Sequence, residues 1–159
     1  MADISNNEQK KVTLFSILLM VLTSIHHIYG AIIYNTPWRL HVLFLSIPVI
    51  ILTLILDRLL SPVHTNRWIF RLYWILTLLT SIILIGVFEG LYNHVLKNIL
   101  FFISLPEKDM EKLYPNGIYE MPDNLFFELT GILQGVLVAV LIIYFSRLIR
   151  KGHQHLSGW

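Results

Sequence analysis

The sequence predicts an all-α integral membrane protein, a four-helix transmembrane bundle, and three observations carry that expectation. Of 159 residues, 55% are hydrophobic and only 14% are charged. With a mean hydropathy of +0.66, the chain is too apolar to cover a soluble domain of this size. The apolar residues gather into four runs, each long enough for the roughly 20 residues that cross a hydrocarbon core of about 30 Å. Finally, Lys and Arg are distributed unequally between the two ends of those runs, as the positive-inside rule describes.

Each element follows from its own residues. Positions 1–10 are polar and are expected to be frayed or interfacial. The first helix is expected over 12–34 and exceeds the roughly 7–15 apolar residues of a signal-peptide core, so it reads as retained. Thr36 and Pro37 offer an N-cap and a first helical residue for helix two, 37–60. Ser61-Pro62 ends that helix, and a short loop with His64 and Asn66 leads into helix three, 67–104. At about 1.5 Å per residue this third helix would run to about 58 Å, so its end is expected to extend beyond the bilayer on the outer side. An outer loop, 106–123, carries a Pro-Asn-Gly turn at 115–117. Helix four, 124–150, ends in a basic tail. The whole is expected to be a single membrane domain.

Orientation follows from the cations. Lys10, Lys11, Arg58, Arg67, Arg71, Arg147, Arg150 and Lys151 lie on one side, and Arg39, Lys97, Lys108 and Lys112 on the other. Eight against four puts both termini in the cytoplasm, as expected for a multi-pass protein of a cell inner membrane. Tyr29, Tyr34, Trp38 and Tyr92 would then form an outer aromatic belt, and Trp68, Tyr73, Trp74 and Tyr144 an inner one.

The chain has no cysteine, which excludes thiolate metal sites and disulfide chemistry. Its formal charge of +2 gives no reason to expect nucleic acid. No phosphate-binding glycine loop or Ser/His/Asp arrangement is present. What stands out is a layer of polar residues. His26 and His27 end helix one, His41 begins helix two, Glu89, Asn93 and His94 lie late in helix three, and Glu128 begins helix four. An antiparallel bundle brings all of them to one depth, toward the extracytoplasmic face. Ionisable groups inside lipid are costly, and the default reading is a functional site.

Imidazoles with carboxylates suit zinc, iron, manganese or copper. The candidate ligands are His26, His27, His41, Glu89, His94 and Glu128, with Glu89 and Glu128 also candidates for acid–base work. Tyr29, Tyr92 and Asn93 are candidates for holding a bound cofactor or ligand by hydrogen bonds. The Glu-x-x-His pairs of di-iron bundles are absent. His26 and His27 are adjacent and point about 100° apart, so one of them is expected to face the site. Glu89 and His94 lie about 140° apart on an α-helix and converge only if the helix is distorted. Gly30 is expected to relieve crowding between helices one and two. Gly86-x-x-x-Gly90 and Gly131-x-x-x-Gly135 should bring helices three and four close together beside the two glutamates.

Bland alternatives exist for single residues. Arg39 can form a structural ion pair with Glu89 or Glu128, His94, Lys97 and Asn98 can mark a solvated face, and His153-Gln-His155 reads as a solvated tail. For the layer as a whole, the expectation is a membrane-embedded metal-binding protein, an enzyme acting on a small apolar or lipid-like substrate drawn from the bilayer, by oxidation or hydrolysis. The loop 106–124, with Tyr114, Tyr119 and Glu120, would cover the opening. One alternative is a non-enzymatic binder, proton-coupled carrier or accessory subunit, as a homo-oligomer or with a membrane partner. Another is a haem b electron carrier with two histidine axial ligands.

Overall fold

A computed structural model describes residues 2–60 and 67–156, with side chains at 7–60 and 67–150. The expected stop at Ser61-Pro62, the loop residues His64 and Asn66, and the side chains of His153 and His155 lie outside the described residues. Among the described residues the fold is all-helical, with one isolated bridge between Asn116 and Tyr119. Four helices are long and apolar enough to cross a membrane: Asn7–Ile33, Pro37–Leu59, Arg67–Phe102 and Leu125–Arg150.

Helix α1 spans Ala2–Ile33, so it starts ten residues before the expected boundary. The polar start is helical where it meets α2 (His41–Leu59). There Gln9 Nε2 donates to Asp57 Oδ1 at 2.8 Å, and Thr13 Oγ1 donates to the same oxygen at 2.8 Å. Tyr73, expected in the inner aromatic belt, instead has no exposed surface, and its hydroxyl meets Thr13 Oγ1 at 2.8 Å. Its phenol needs a partner once buried, and the α1 start supplies it.

The first hairpin differs in detail from expectation. Pro37–Leu40 is a 3₁₀ turn ahead of α2, and Thr36 makes no side-chain cap. The Thr36 hydroxyl instead accepts from Arg39 Nε at 2.8 Å and donates to the Gly30 carbonyl at 3.4 Å. Gly30 yields to the fourth span, not to α2: a Cβ there would lie 2.6 Å from the Phe127 ring.

The third span is built from three segments. Helix α3 (Arg67–Leu76) passes into a π-helix (Thr77–Leu96) and then into α4 (Lys97–Phe102). Such i→i+5 winding is rare and recurs at functional sites. Burial follows the same wide pitch. From Thr77 to His94 the buried face comes round four times in 17 residues, at 77, 81–82, 85–86, 90 and 93–94. That is about 4.25 residues per turn, against 3.6 for an α-helix. The polar loop contains a short helix, α5 (Glu107–Leu113), followed by the expected turn, in which Ile118 N–H donates to the Pro115 carbonyl and Gly117 adopts φ +83°. Helix α6 (Leu125–Leu156) completes the fold. Asn124 caps it, its Oδ1 accepting the Phe127 N–H at 3.0 Å.

Helices α1, α6 and the π-helix form the tight centre of the bundle, and α2 leans on α1 and α3 while barely touching the π-helix. The glycine pairs work as expected. A Cβ on Gly90 would come within 2.6 Å of the Gly135 backbone nitrogen, and one on Gly86 would run into Val138. Leu19, Met20, Ile82, Ile85, Val138 and Leu141 fill the interior below this contact.

Candidate functional site

The π-helix is what assembles the site. At 4.25 residues per turn the chain rotates about 85° per residue, so residues five apart lie about 65° apart instead of 140°. Glu89 and His94 therefore share a face, with His94 Nε2 3.7 Å from Glu89 Oε1. Close approach of α6 closes the other side, because a Cβ on Gly131 would occupy the His94 ring.

Glu89 Oε1 is the focus. Three imidazole nitrogens surround it: His27 Nε2 at 3.2 Å, His94 Nε2 at 3.7 Å and His26 Nε2 at 3.9 Å. Both adjacent histidines thus turn toward the same oxygen, where one was expected. Glu89 lies between their two directions, and their rings meet edge to face with centroids 5.4 Å apart. The ligand atoms of His26, Glu89 and His94 all fall within 4.8 Å of one another. The other carboxylate oxygen, Oε2, accepts from Asn93 Nδ2 at 2.7 Å, which fixes the group's rotation.

Hydrogen bonding sets the histidine tautomers. Thr130 has one hydroxyl proton, and its Oγ1 faces the Phe126 and Phe127 carbonyls at 2.8 and 2.9 Å. With that proton engaged, Oγ1 accepts from His26 Nδ1 at 2.9 Å. His26 Nε2 is then left with its lone pair toward Glu89 and no hydrogen-bond partner. Likewise His94 Nδ1 donates to Glu128 Oε2 at 3.1 Å, turning its Nε2 to Glu89. His27 Nε2, although 3.2 Å from the carboxylate, lies outside hydrogen-bond geometry. Phe127 stacks on His26 with centroids 4.1 Å apart and forms the floor beneath both rings.

Glu128 sits behind His94. Its Oε1 accepts from Lys97 Nζ at 3.1 Å, and its Oε2 also accepts from Asn98 Nδ2 at 2.5 Å. Lys97 is buried and additionally donates to the Glu120 carbonyl. Arg39 pairs with Glu120, Nη2 to Oε1 at 3.1 Å, and with neither Glu89 nor Glu128. Its guanidinium lies over the Trp38 and Phe127 rings. Among the described residues, no Lys or Arg stands within ion-pair distance of Glu89.

The remaining expected residues lie further out. His41 is exposed, its Nδ1 against the Trp38 carbonyl at 2.5 Å and its ring 6.5 Å from that of His27. Tyr29 donates to Asn124 Oδ1 at 3.3 Å, and Tyr92 donates to the Leu113 carbonyl at 3.0 Å. These two hold the outer segment, not the histidine group. Thr130, Lys97, Asn98 and Phe127 belong to the site's architecture without having been singled out for it.

A cavity of about 390 Å³ opens from Glu89, His27 and His94. Its outer wall carries Arg39, Lys97 and the loop residues Tyr119 and Glu120, and its inner wall carries Val42 and Leu45 of α2 with Leu84 and Phe88 of the π-helix. The loop does reach over the opening. Burial pushes the Tyr114 phenol up to about 12, with Tyr92 and Tyr119 beside it adding to the shift, and burial also raises Tyr119, so both remain neutral donors. Comparison with protein families, curated proteins and solved structures finds no match.

Proposed function

We propose that the protein is a membrane-embedded metalloprotein that holds one divalent transition-metal ion between His26, His94 and Glu89, with His27 beside them. One observation carries the reading. Two imidazoles, fixed by Thr130 and Glu128, turn their Nε2 atoms to one carboxylate oxygen, an arrangement that calls for a metal ion or a proton between them. Donors about 2.0–2.2 Å from one tetrahedral ion stand about 3.4 Å apart; His94 and His26 Nε2 stand 3.7 and 3.9 Å from Glu89 Oε1, and the three ligand atoms fall within 4.8 Å of one another, so a small inward shift would close them on an ion. Glu128–His94 and Thr130–His26 have the form of the outer hydrogen bonds that orient metal-binding histidines. Zinc, iron, manganese and copper all accept such a donor set.

With His26, His94 and Glu89 as the three protein donors, the fourth position would be left to the cavity side, the arrangement of a reactive metal site. An ion held there would supply Lewis acidity, Glu89 through its second oxygen, Oε2, would be the candidate proton acceptor, and the Tyr119–Glu120 segment would keep bulk water out. The substrate side is apolar and faces the gap between α2 and the π-helix, which favours an enzyme acting on an apolar or lipid-like molecule. The cation distribution supports a reading with both termini in the cytoplasm, the site in the extracytoplasmic half and the end of the third span on the outer side.

Elemental analysis of the purified protein tests this. The expected result is about one transition-metal ion per chain, lost in Glu89→Gln and His94→Ala. Added metal should stabilise the fold by about 2.7 kcal/mol at a hundredfold excess over Kd. A chain with no metal, and unfolding unchanged by added zinc, iron, manganese or copper, would sink the proposal. A second reading would then stand on the same geometry: a proton shared between the imidazoles and Glu89, serving as a relay in a non-enzymatic carrier or accessory subunit.

A further inference from the structure

The cavity has two unlike ends, and together they describe a ligand. Its polar end is charged in matched pairs. Arg39 is met by Glu120 at 3.1 Å and Lys97 by Glu128 at 3.1 Å, so each cation has its own carboxylate. Glu89 is left to the metal. A divalent ion against that single carboxylate leaves the site with one positive charge in excess. Within a membrane such an excess is costly, and an anionic group beside the ion neutralises it. Lys97 and Arg39 both line the cavity and lie where that group would rest.

The apolar end leads sideways. Leu45 on α2 faces Leu84 and Phe88 on the π-helix, and the last two are 43% and 46% exposed. Because α2 barely touches the π-helix, the cleft between them opens toward the hydrocarbon that surrounds a spanning bundle. The cavity of about 390 Å³ lies in the range of small-molecule sites, roughly 300–1,000 Å³. It has room for a head group and the first part of a chain, the rest staying in the bilayer. We infer that the site takes a single-chain anionic amphiphile, a fatty-acyl carboxylate or an alkyl phosphate, that enters laterally between α2 and the π-helix with its head toward Glu89 and Lys97. The head-group charge rests on the metal site proposed above, and the lateral cleft does not.

The test uses the full chain in phosphatidylcholine nanodiscs, with metal content measured on every sample. Palmitate or hexadecyl phosphate should bind once per chain, at least tenfold tighter than hexadecanol and a hundredfold tighter than butyrate. The tighter of the two anions names the head group. Leu45→Trp should weaken binding at least tenfold with metal content unchanged. A mid-chain diazirine analogue of palmitate should label the wild-type protein near Leu45, Leu84 and Phe88, a readout that needs no variant. Equal binding of hexadecanol overturns the anionic head, and equal binding of butyrate overturns the lateral cleft, as does labelling confined to other spans. A metal-free chain that still binds and labels at the cleft overturns the metal reading alone.

Discussion

A hydroxyl has a single proton, and Thr130 gives its proton to the carbonyls one turn behind it, so what reaches His26 is a lone pair. This small fact decides which nitrogen of a fully buried imidazole is free to bind. Thr130→Val keeps the shape and removes the acceptor, so His26 loses the bond that fixes its tautomer and its ring. The expected outcome is a metal affinity lower by about 10–100-fold, measured by competition with a chelator, with Thr130→Ser restoring most of it. Apo-protein stability should move by only about 1 kcal/mol. Unchanged affinity in the valine variant would mean that the tautomer is set elsewhere. Little of this arrangement could be read from residue types. His26, His27, Glu89 and His94 declared themselves because ionisable groups in apolar runs are costly. Thr130 did not, since threonine in a membrane helix usually back-bonds to its own carbonyls, which it also does here. Lys97 looked like part of a solvated face because a lysine beside a span's end normally reaches water. Only the fold shows it turned inward, between Glu128 and the Glu120 carbonyl.

At the scale of elements, the site depends on a wide helix meeting a close neighbour. A regular α-helix would carry His94 well round from Glu89, and that conflict was visible in the sequence as a five-residue spacing. Its resolution was also written there. Thr77, Ser81, Gly86, Gly90 and His94, five of the eight Thr, Ser, Gly, Glu, Asn and His residues in the run, recur every four to five residues and are all buried. Read at 3.6 residues per turn they scatter, and at about 4.25 they fall on one face. The two glycine pairs were legible for a simpler reason: close helix contact excludes side chains whatever the winding. They are not equivalent, however. At Gly90 an added methyl meets the Gly135 backbone nitrogen at 2.6 Å, which no side-chain rotation can relieve. Gly90→Ala must therefore part the π-helix from α6, and overpacking of this kind costs about 1–3 kcal/mol. Thermal unfolding in detergent should show that loss, and metal affinity should fall with it, because His94 packs on Gly131 one turn away. A Gly90→Ala protein with wild-type stability and metal binding would show that the two helices have slack that this packing does not provide for.

Across the whole molecule, polarity is arranged in depth. Polar latches join the spans at one end, where Gln9, Thr13, Asp57 and Tyr73 meet, and the His/Glu group joins them at the other. Between them lie the apolar layers of Leu19, Met20, Ile82 and Val138, with Ser16 and Ser81 paired at 2.6 Å. The latch end carries the surplus of Lys and Arg, and the proposed orientation rests on this asymmetry. Positive residues flanking short connections tend to stay in the cytoplasm, and on that rule the latch would face inward and α5 with the Pro-Asn-Gly turn outward. The sequence has no cysteine, so single cysteines report cleanly. Lys10 and Glu107 are both exposed and lie at opposite ends of the bundle. In intact cells, a membrane-impermeant maleimide should label Glu107→Cys, and should label Lys10→Cys only after permeabilisation. The reverse pattern would put the metal group in the cytoplasmic half. The cleft between α2 and the π-helix would then draw on the inner leaflet, and the amphiphile it admits would come from that side of the membrane.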